Sequence, residues 1–331
     1  MREGKPVDKI LVTGGAGYIG SHTVRELAAQ GFEPVTLDNL SEGHREAVVT
    51  GPLEVGDLAD EAFLDDLFSR HSISAVMHFA SRCYVGESVT NPKLYYEENV
   101  GNAMTLLGVM LKHDVKRFIL SSTCATYGDP IEVPISESHP QDPVNPYGET
   151  KYFIERILKQ YDRAYSLRFV SLRYFNAAGD SLDGLIGESH DPETHLIPRI
   201  LQTAQGKYDY IEVFGTDYPT PDGTCIRDYI HVLDLAAAHI AAVRWLEAGK
   251  ASDFFNLGTG NGYSVRAMLE MAEQVTGMKI PVKMGSRREG DPAELVADAS
   301  KANQQLGWTP QVSDLRTVME TAWNWELKRR Y

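Results

Sequence analysis

Short apolar runs alternate along the chain with longer stretches whose apolar positions recur at helical spacing. Lys9-Ile10-Leu11-Val12-Thr13 predicts a buried strand, followed by a helix through Val24, Leu27 and Ala28 that ends near Gly31. Pro34–Asp38 predicts a second strand, Leu53–Leu58 a third, and Ser74–Ser81 a fourth. Tyr95, Val100, Ala103, Leu106, Leu107 and Met110 predict one long helix from Pro92 to about Lys112. Arg117–Leu120 is the next strand, the stretch Val144–Lys151 begins a helix that continues through Ile154, Ile157 and Leu158, and Ser166–Arg173 is a further strand. After about residue 180 the rhythm breaks. Residues 180–225 are rich in Gly, Pro, Asp and His, with one helical stretch (His195 to Gln205) and one short strand (Ile211 to Phe214). Ile230–Leu235, an alanine-rich helix and Phe254–Gly258 then read as a return to the earlier pattern.

Alternating strands and helices imply a parallel sheet with helices on both faces. The first strand runs into Gly14-Gly15-Ala16-Gly17-Tyr18-Ile19-Gly20. Glycines at the first turn of a strand–helix–strand unit allow a tight turn and let a pyrophosphate approach the helix N-terminus. Asp38 ends the second strand, where a carboxylate accepts hydrogen bonds from an adenosine ribose and repels a 2′-phosphate. NAD is therefore the expected cofactor. The fold class is α/β: a Rossmann-type doubly wound parallel sheet with a smaller, interleaved α/β lobe for substrate. Residues 1–180, with 230–260, are assigned to the NAD-binding domain, and 181–229 with 261–331 to the lobe.

Composition narrows the function classes. Of the 331 residues, 46 are acidic and 32 basic, a formal net charge of −14 with the signs intermixed. That excludes a general binder of nucleic acid or anionic membrane, though a local arginine cluster can still hold an anionic small molecule. Cys83, Cys124 and Cys225 are odd in number and lack metal-ligand spacing, so neither a disulfide framework nor a metal site is expected. The polar N-terminus and the absence of a long apolar run predict no signal peptide, no membrane span and a cytoplasmic location.

The candidate chemistry centres on Tyr147 and Lys151, four residues apart at the start of a predicted helix and so on one face, one turn apart. A nearby ammonium favours a phenolate, and a tyrosine of lowered pKa can take a proton from a substrate hydroxyl. The hydroxyls of Ser121 to Thr126 follow a strand's C-terminal end, where they either touch substrate or serve as turn hydroxyls. Asp57 has two readings, an acceptor for the adenine amino group or the cap of the following helix. His78 reads as a packed strand residue. Asn99, in mid-helix, is expected to bond a partner that sequence does not identify.

The order of these pieces resembles the extended short-chain dehydrogenase/reductase family, in its branch of UDP-sugar 4-epimerases, from Lys9 to about Trp308. The motifs are Thr13–Gly20, Asp38–Ser41, Val85–Ser88, Ser121–Gly128, Tyr147–Lys151, Arg173–Asn176, Gly215–Thr220, Arg227–Val232 and Arg287–Asp291. The resemblance implies reversible epimerisation of UDP-glucose and UDP-galactose at C4 through a 4-keto sugar, with bound NAD regenerated each cycle. It implies that Gly14, Gly17, Tyr18, Ile19, Gly20, Asp38, Asn39, Asp57 and Leu58 hold the adenosine diphosphate half of NAD. Phe79, Ala80, Asn99, Lys151 and Tyr174 would border its ribose and nicotinamide. Thr123 and Tyr147 would act on the sugar, with Lys151 as the third catalytic residue. Phe175, Asn176, His195, Leu196, Phe214, Arg227, Arg288, Asp291 and Leu295 would hold the UDP-sugar substrate. A homodimer through the helices of Asn99 and Tyr147 is also implied.

Two positions depart from the family pattern. Cys83 stands where relatives often carry a lysine near the cofactor ribose, which predicts looser NAD. Leu295 stands where some relatives have a tyrosine beside the sugar C2 substituent, leaving room for UDP-N-acetylglucosamine. Among rivals, a 4,6-dehydratase needs an Asp-Glu pair just after the threonine, and Cys124 and Ala125 occupy those places. A UDP-glucuronate epimerase or decarboxylase would want a cation at the sugar carboxylate. A non-catalytic sensor would be expected to lose Tyr147 or Lys151, and both are present.

Overall fold

The computed structural model describes residues 8–288 and 291–331. Glu289 and Gly290, part of the Arg287–Asp291 motif, lie outside the described residues. In chain order the strands are β1 (Lys9–Thr13), β2 (Glu33–Asp38), β3 (Leu53–Val55), β4 (Ile73–His78), β5 (Arg117–Thr123), β6 (Arg168–Tyr174) and β7 (Asn176–Ala178). They continue with β8 (Ile211–Phe214), β9 (Ile226–Arg227), β10 (Tyr229–His231), β11 (Asp253–Leu257), β12 (Tyr263–Ser264), β13 (Val282–Gly285) and β14 (Glu294–Leu295). The helices are α1 (Tyr18–Ala29), α2 (Glu61–Arg70), α3 (Val85–Thr90), α4 (Pro92–Tyr95), α5 (Asn102–Lys112), α6 (Pro146–Tyr165), α7 (Leu196–Ala204), α8 (Val232–Glu247), α9 (Val265–Thr276) and α10 (Leu315–Lys328).

Seven strands form the main sheet in the order β11-β6-β5-β4-β1-β2-β3. The expected doubly wound α/β sheet is thus present. Central β1 is parallel to both neighbours, with Val12 opposite Thr36 on one side and Met77 on the other. The chain first winds outward from β1 to β2 and β3, then crosses back to β4. The carboxyl ends of β1 and β4 therefore flank the point where strand order reverses, the position at which open parallel sheets bind ligands.

The chain divides into two compact units. The first comprises residues 1–128, 141–173 and 236–255, and the second 129–140, 174–235 and 256–331. The first has a core of Leu11, Val76, Leu107, Phe118, Ile154 and Phe169, the inward positions of parallel strands and of two helices. The second has its own core, in which Ile200 and Leu201 of α7 pack with Met268 of α9 and Val318 and Met319 of α10.

Two expected elements differ. Ile230–Leu235 is not a strand of the main sheet: β10 stops at His231, pairs with β7 in a separate two-stranded sheet, and α8 begins at Val232. Alanines 236–238 favour helix strongly enough to draw its start back over the apolar residues before them. The long helix from Pro92 to Lys112 contains a wide π turn, Tyr96–Gly101, between α4 and α5. Such turns displace one residue from the regular ladder and aim it elsewhere, and here that stretch carries Asn99.

Candidate active site

In the first unit, helix α6 opens with a complete start signal. The Asn145 side chain accepts from Gly148 N at 2.9 Å, Pro146 fills the first turn, and Glu149 places a negative charge there. A Cβ on Gly148 would lie 2.4 Å from Ala125 O. Only glycine lets α6 sit this close to the turn after β5. Lys151 is fully enclosed, and its Nζ donates to Ser121 O at 2.9 Å. Burial pulls its pKa down to about 8, against the opposing pull of Cys83 and Glu155. Tyr147 is half-buried.

Thr123 ends β5. Its Oγ1 accepts from Ala125 N at 3.1 Å, which leaves the hydroxyl proton to donate elsewhere. The neighbouring hydroxyls separate. Ser122 Oγ donates to Glu155 Oε1 at 2.8 Å, and Thr126 Oγ1 donates to Thr123 O at 3.0 Å. Those two serve structure rather than substrate, because buried hydroxyls take the nearest strong acceptor.

The glycine turn after β1 closes against the end of β4. Gly14 has φ +71°, and a Cβ there would lie 2.5 Å from Ala80 N. The backbone N–H groups of Phe79 and Ala80 both donate to Thr13 O, so the ends of β1 and β4 are joined. Gly17 caps α1 without a side-chain bond, and the helix has no acidic residue in its first turn. Its N-terminal N–H groups and positive dipole end are thus left for an anion, with Tyr18, Ile19 and Gly20 forming that turn. Asp38 accepts from Ala16 N and Leu40 N, each at 2.9 Å, and so fixes the turn against the end of β2. Burial raises its pKa, partly countered by those two bonds.

Asn39 Nδ2 donates to Asp57 Oδ2 at 2.9 Å, linking the ends of β2 and β3. Asp57 does not cap α2. Its other oxygen accepts from Ala59 N, and Asp60 is the cap, accepting from Phe63 N. The Leu58 side chain lies in the core of the unit. Phe79 stacks at 4.5 Å on His239 of α8. Asn99 gains the partner expected of it: it accepts from Arg82 N at 2.8 Å and donates to Arg82 O and to Thr150 Oγ1. It therefore ties the segment after β4 to α6, one residue from Lys151. His78 is a packed strand residue. Its Nδ1 pairs with Thr13 Oγ1 at 2.8 Å, and burial lowers its pKa to about 3.

In the second unit, β14 runs parallel to β9 with Leu295 opposite Arg227. The Arg227 guanidinium pairs with the Asp291 carboxylate, whose other oxygen accepts from Tyr218 OH at 3.4 Å. Arg288 is exposed, with its guanidinium stacked 4.0 Å from the Phe214 ring centre. A stacked arginine keeps its donors in a fixed plane for phosphate oxygens. Asn176 donates its backbone N–H to Asp228 O, Phe175 is buried, and Tyr174 is half-buried. His195 precedes α7 and Leu196 begins it. The His195 Nδ1 is engaged by Glu193 and Glu188.

Two contributors were not assigned from sequence. Asp228 is buried and accepts from Thr259 N and Oγ1, Gly260 N and Ala297 N, so one carboxylate organises the loops around Arg227. Glu155 lies at i+4 from Lys151 and i+8 from Tyr147, and this spacing was the available signal. It accepts from Ser122, Ser171, Gln141 and Arg173.

Residues 10–258 match the family model of the NAD dependent epimerase/dehydratase family. The chain is 53% identical over 316 residues to the UDP-glucose 4-epimerase of Halalkalibacterium halodurans, covering 96% of this chain and 95% of that one. It is similar to the crystal structure of UDP-glucose 4-epimerase from Brucella ovis in complex with NAD, with a TM-score of 0.94 and 50% identity, covering 96% and 98% of the two chains. It is also similar to the UDP-glucose 4-epimerase from Bifidobacterium longum in complex with NAD+ and UDP, with a TM-score of 0.92 and 39% identity, covering 97% and 98%. The chain belongs to the NAD dependent epimerase/dehydratase family, among its UDP-glucose 4-epimerases.

Proposed function

We infer that the chain is an NAD-dependent UDP-glucose 4-epimerase, interconverting UDP-glucose and UDP-galactose. The observation that carries the residue-level reading is the face of α6 on which half-buried Tyr147 stands one turn from fully buried Lys151. The residues at the glycine turn fit NAD: α1 has an uncapped N-terminus, Asp38 ends β2, and the Asn39–Asp57 pair lies beside it. Bound NAD would supply a reversible acceptor for the C4 hydrogen with its electron pair, so that a ketone at C4 can be formed and reduced on either face.

The protein's own groups move the proton. Tyr147 as phenolate takes it from the C4 hydroxyl, forming the O–H bond as the sugar oxygen becomes a carbonyl, and returns it when the carbonyl is reduced. Lys151, still mostly an ammonium at neutral pH, favours the phenolate through its charge. Thr123 donates its remaining hydroxyl proton to the C4 oxygen. Arg227 and Arg288 hold the pyrophosphate, with Phe214, Phe175, Asn176, Asp291, His195 and Leu196 around the rest of the nucleotide. Leu295 leaves space at C2, which extends the expected substrates to UDP-N-acetylglucosamine. A dehydratase is disfavoured, since Cys124 and Ala125 supply no acid after Thr123. A cytoplasmic homodimer completes the proposal by extension from the family. No helix among the described residues is long and apolar enough to cross a membrane, and sedimentation of the purified protein checks the dimer.

The deciding assay supplies UDP-galactose and follows UDP-glucose through a coupled dehydrogenase. Wild-type protein is expected to turn over without added NAD, and Tyr147→Phe to lose at least ~10²-fold in kcat. Near-normal turnover in that variant would remove Tyr147 from the mechanism, and no product from the wild type would sink the activity itself.

A further inference from the structure

The segment that leads into α7 gathers four side chains that the epimerase chemistry does not use as a group. Glu188, His190, Glu193 and His195 each offer one ligand atom, and the four atoms lie within 4.8 Å of one another. His195 Nδ1 is 2.9 Å from Glu188 Oε1 and 3.0 Å from Glu193 Oε1. His190 Nδ1 is 3.4 Å from Glu188 Oε1 and 3.6 Å from Glu193 Oε2. A tetrahedral ion with bonds of about 2.1 Å to nitrogen and oxygen has edges of about 3.4 Å. These nitrogen–oxygen separations bracket that edge, and the wider separations in the set, up to 4.8 Å, would have to draw in by about an ångström or more around an ion at the centre.

A second observation points the same way. Glu193 is 9% exposed, and its buried Oε2 has no hydrogen bond, with the ion-pair partner His190 Nδ1 standing off at 3.6 Å. A buried carboxylate oxygen that has only such a distant partner gains when a donor or cation comes closer. The cluster is also held from behind. Glu188 N donates to Asp180 Oδ1 at 2.7 Å, Trp325 Nε1 donates to Glu188 O at 2.8 Å, and His195 N donates to Glu193 Oε1 at 2.8 Å. Ligands fixed this way are pre-positioned, as metal ligands are when neighbouring groups orient them.

We propose that Glu188, His190, Glu193 and His195 form a structural site for a divalent transition-metal ion of the zinc class. Two imidazoles and two carboxylates suit Zn2+ and Co2+. One dication balances both glutamates once the two histidines release their protons to solvent and bind as neutral ligands. Four protein ligands fill a tetrahedral shell and leave no open position, which assigns the ion to structure rather than catalysis. It would pin the segment before α7 to that helix's first turn. The cysteine spacing read from the sequence gave no sign of this, because no cysteine takes part.

The test uses full-length protein freed of metal by chelator dialysis and titrated with Co2+. The expected result is one ion per chain, with the intense visible bands of four-coordinate cobalt, lost when Zn2+ is added. Saturating Zn2+ should raise the thermal midpoint by about 4 °C, the linkage expected for a ligand at about a hundred times its Kd. His190→Gln, which removes a ligand that has no part in the proposed nucleotide site, should weaken Co2+ binding at least ~10-fold. Only the weak spectrum of hydrated cobalt, with a midpoint indifferent to zinc, overturns the proposal. So does undiminished binding by His190→Gln. Neither outcome bears on the epimerase reaction, which is assayed separately.

Discussion

Arg173 closes a two-point ion pair on Glu155, with Nη2 2.6 Å from Oε2 and Nε 2.9 Å from Oε1. Both side chains are almost wholly enclosed, at 3% and 2% exposure. Glu155 lies one turn beyond Lys151 on α6, and Arg173 also donates to Tyr127 OH at 2.9 Å. Burial opposes the charge on Glu155, yet the Arg173 guanidinium and three further donors hold its carboxyl below the usual range. The pair thus anchors the helix carrying the tyrosine and lysine to β6.

Arg173→Met should therefore destabilise the protein by about 3–5 kcal/mol, because it leaves a buried carboxylate uncompensated. Denaturant unfolding at pH 7 measures it. The sign of the pH dependence follows from the depressed Glu155 pKa. Its contribution is present above the unfolded glutamate pKa and is lost as pH falls through the folded value. The difference between variant and wild type should accordingly shrink on acidification below about pH 4. A loss under about 1 kcal/mol at pH 7 would mean the pair is not the anchor.

Lys151→Met separates stability from activity. Burial holds the lysine pKa near 8, against 10.5 for an ordinary lysine. The unfolded chain thus binds more protons than the folded one between those values, and wild-type stability should rise with pH across that window. Below it the enclosed ammonium costs the fold on the order of 3 kcal/mol. Methionine has nearly the same shape and no charge. At pH 7 the variant should unfold no earlier than wild type while kcat falls at least ~10²-fold. In the wild type, kcat should decline above about pH 8 as the ammonium titrates. A variant that lost stability in proportion to activity would make Lys151 a structural residue only.

Gly14→Ala tests the cofactor turn. At φ +71° an alanine is strained, and its Cβ would press on backbone rather than a movable side chain. The ends of β1 and β4 would have to part. The expected outcome is a loss of about 2 kcal/mol or more in stability. NAD should also be lost during purification and regained only when added in excess. Retention of NAD at the wild-type level would show that the turn does not depend on this approach.

Much of the first unit was legible because its signals are local. A strand entering glycines at β1 and an asparagine, proline and glutamate at the start of α6 each act within a turn of where they stand. What escaped was non-local. Nothing near Asp228 in sequence announces that its acceptors serve loops some thirty and seventy residues away, at Thr259 and Ala297. Asp57 and Asp60 are both plausible caps by type, and only the geometry that joins Asp57 to Asn39 decides between them. The hydroxyls from Ser121 to Thr126 looked alike until the buried acceptor Glu155 claimed Ser122.

Leu295 carries the last prediction. It sits in β14 opposite Arg227 and is half-buried, so a side chain there grows beside the residue assigned to the pyrophosphate. Leucine is shorter than tyrosine and has no polar tip to seek a partner. Wild-type protein should therefore epimerise UDP-N-acetylglucosamine as well as UDP-glucose. Leu295→Tyr should cut kcat/KM for the acetamido sugar at least ~10-fold, the scale of a steric exclusion worth 1–3 kcal/mol. UDP-glucose should change less than ~3-fold, because a hydroxyl at C2 does not need the space. Initial rates on both sugars, for both proteins, give the ratio directly. If wild-type protein has no acetamido activity, or the tyrosine lowers both rates equally, Leu295 does not set the room at C2.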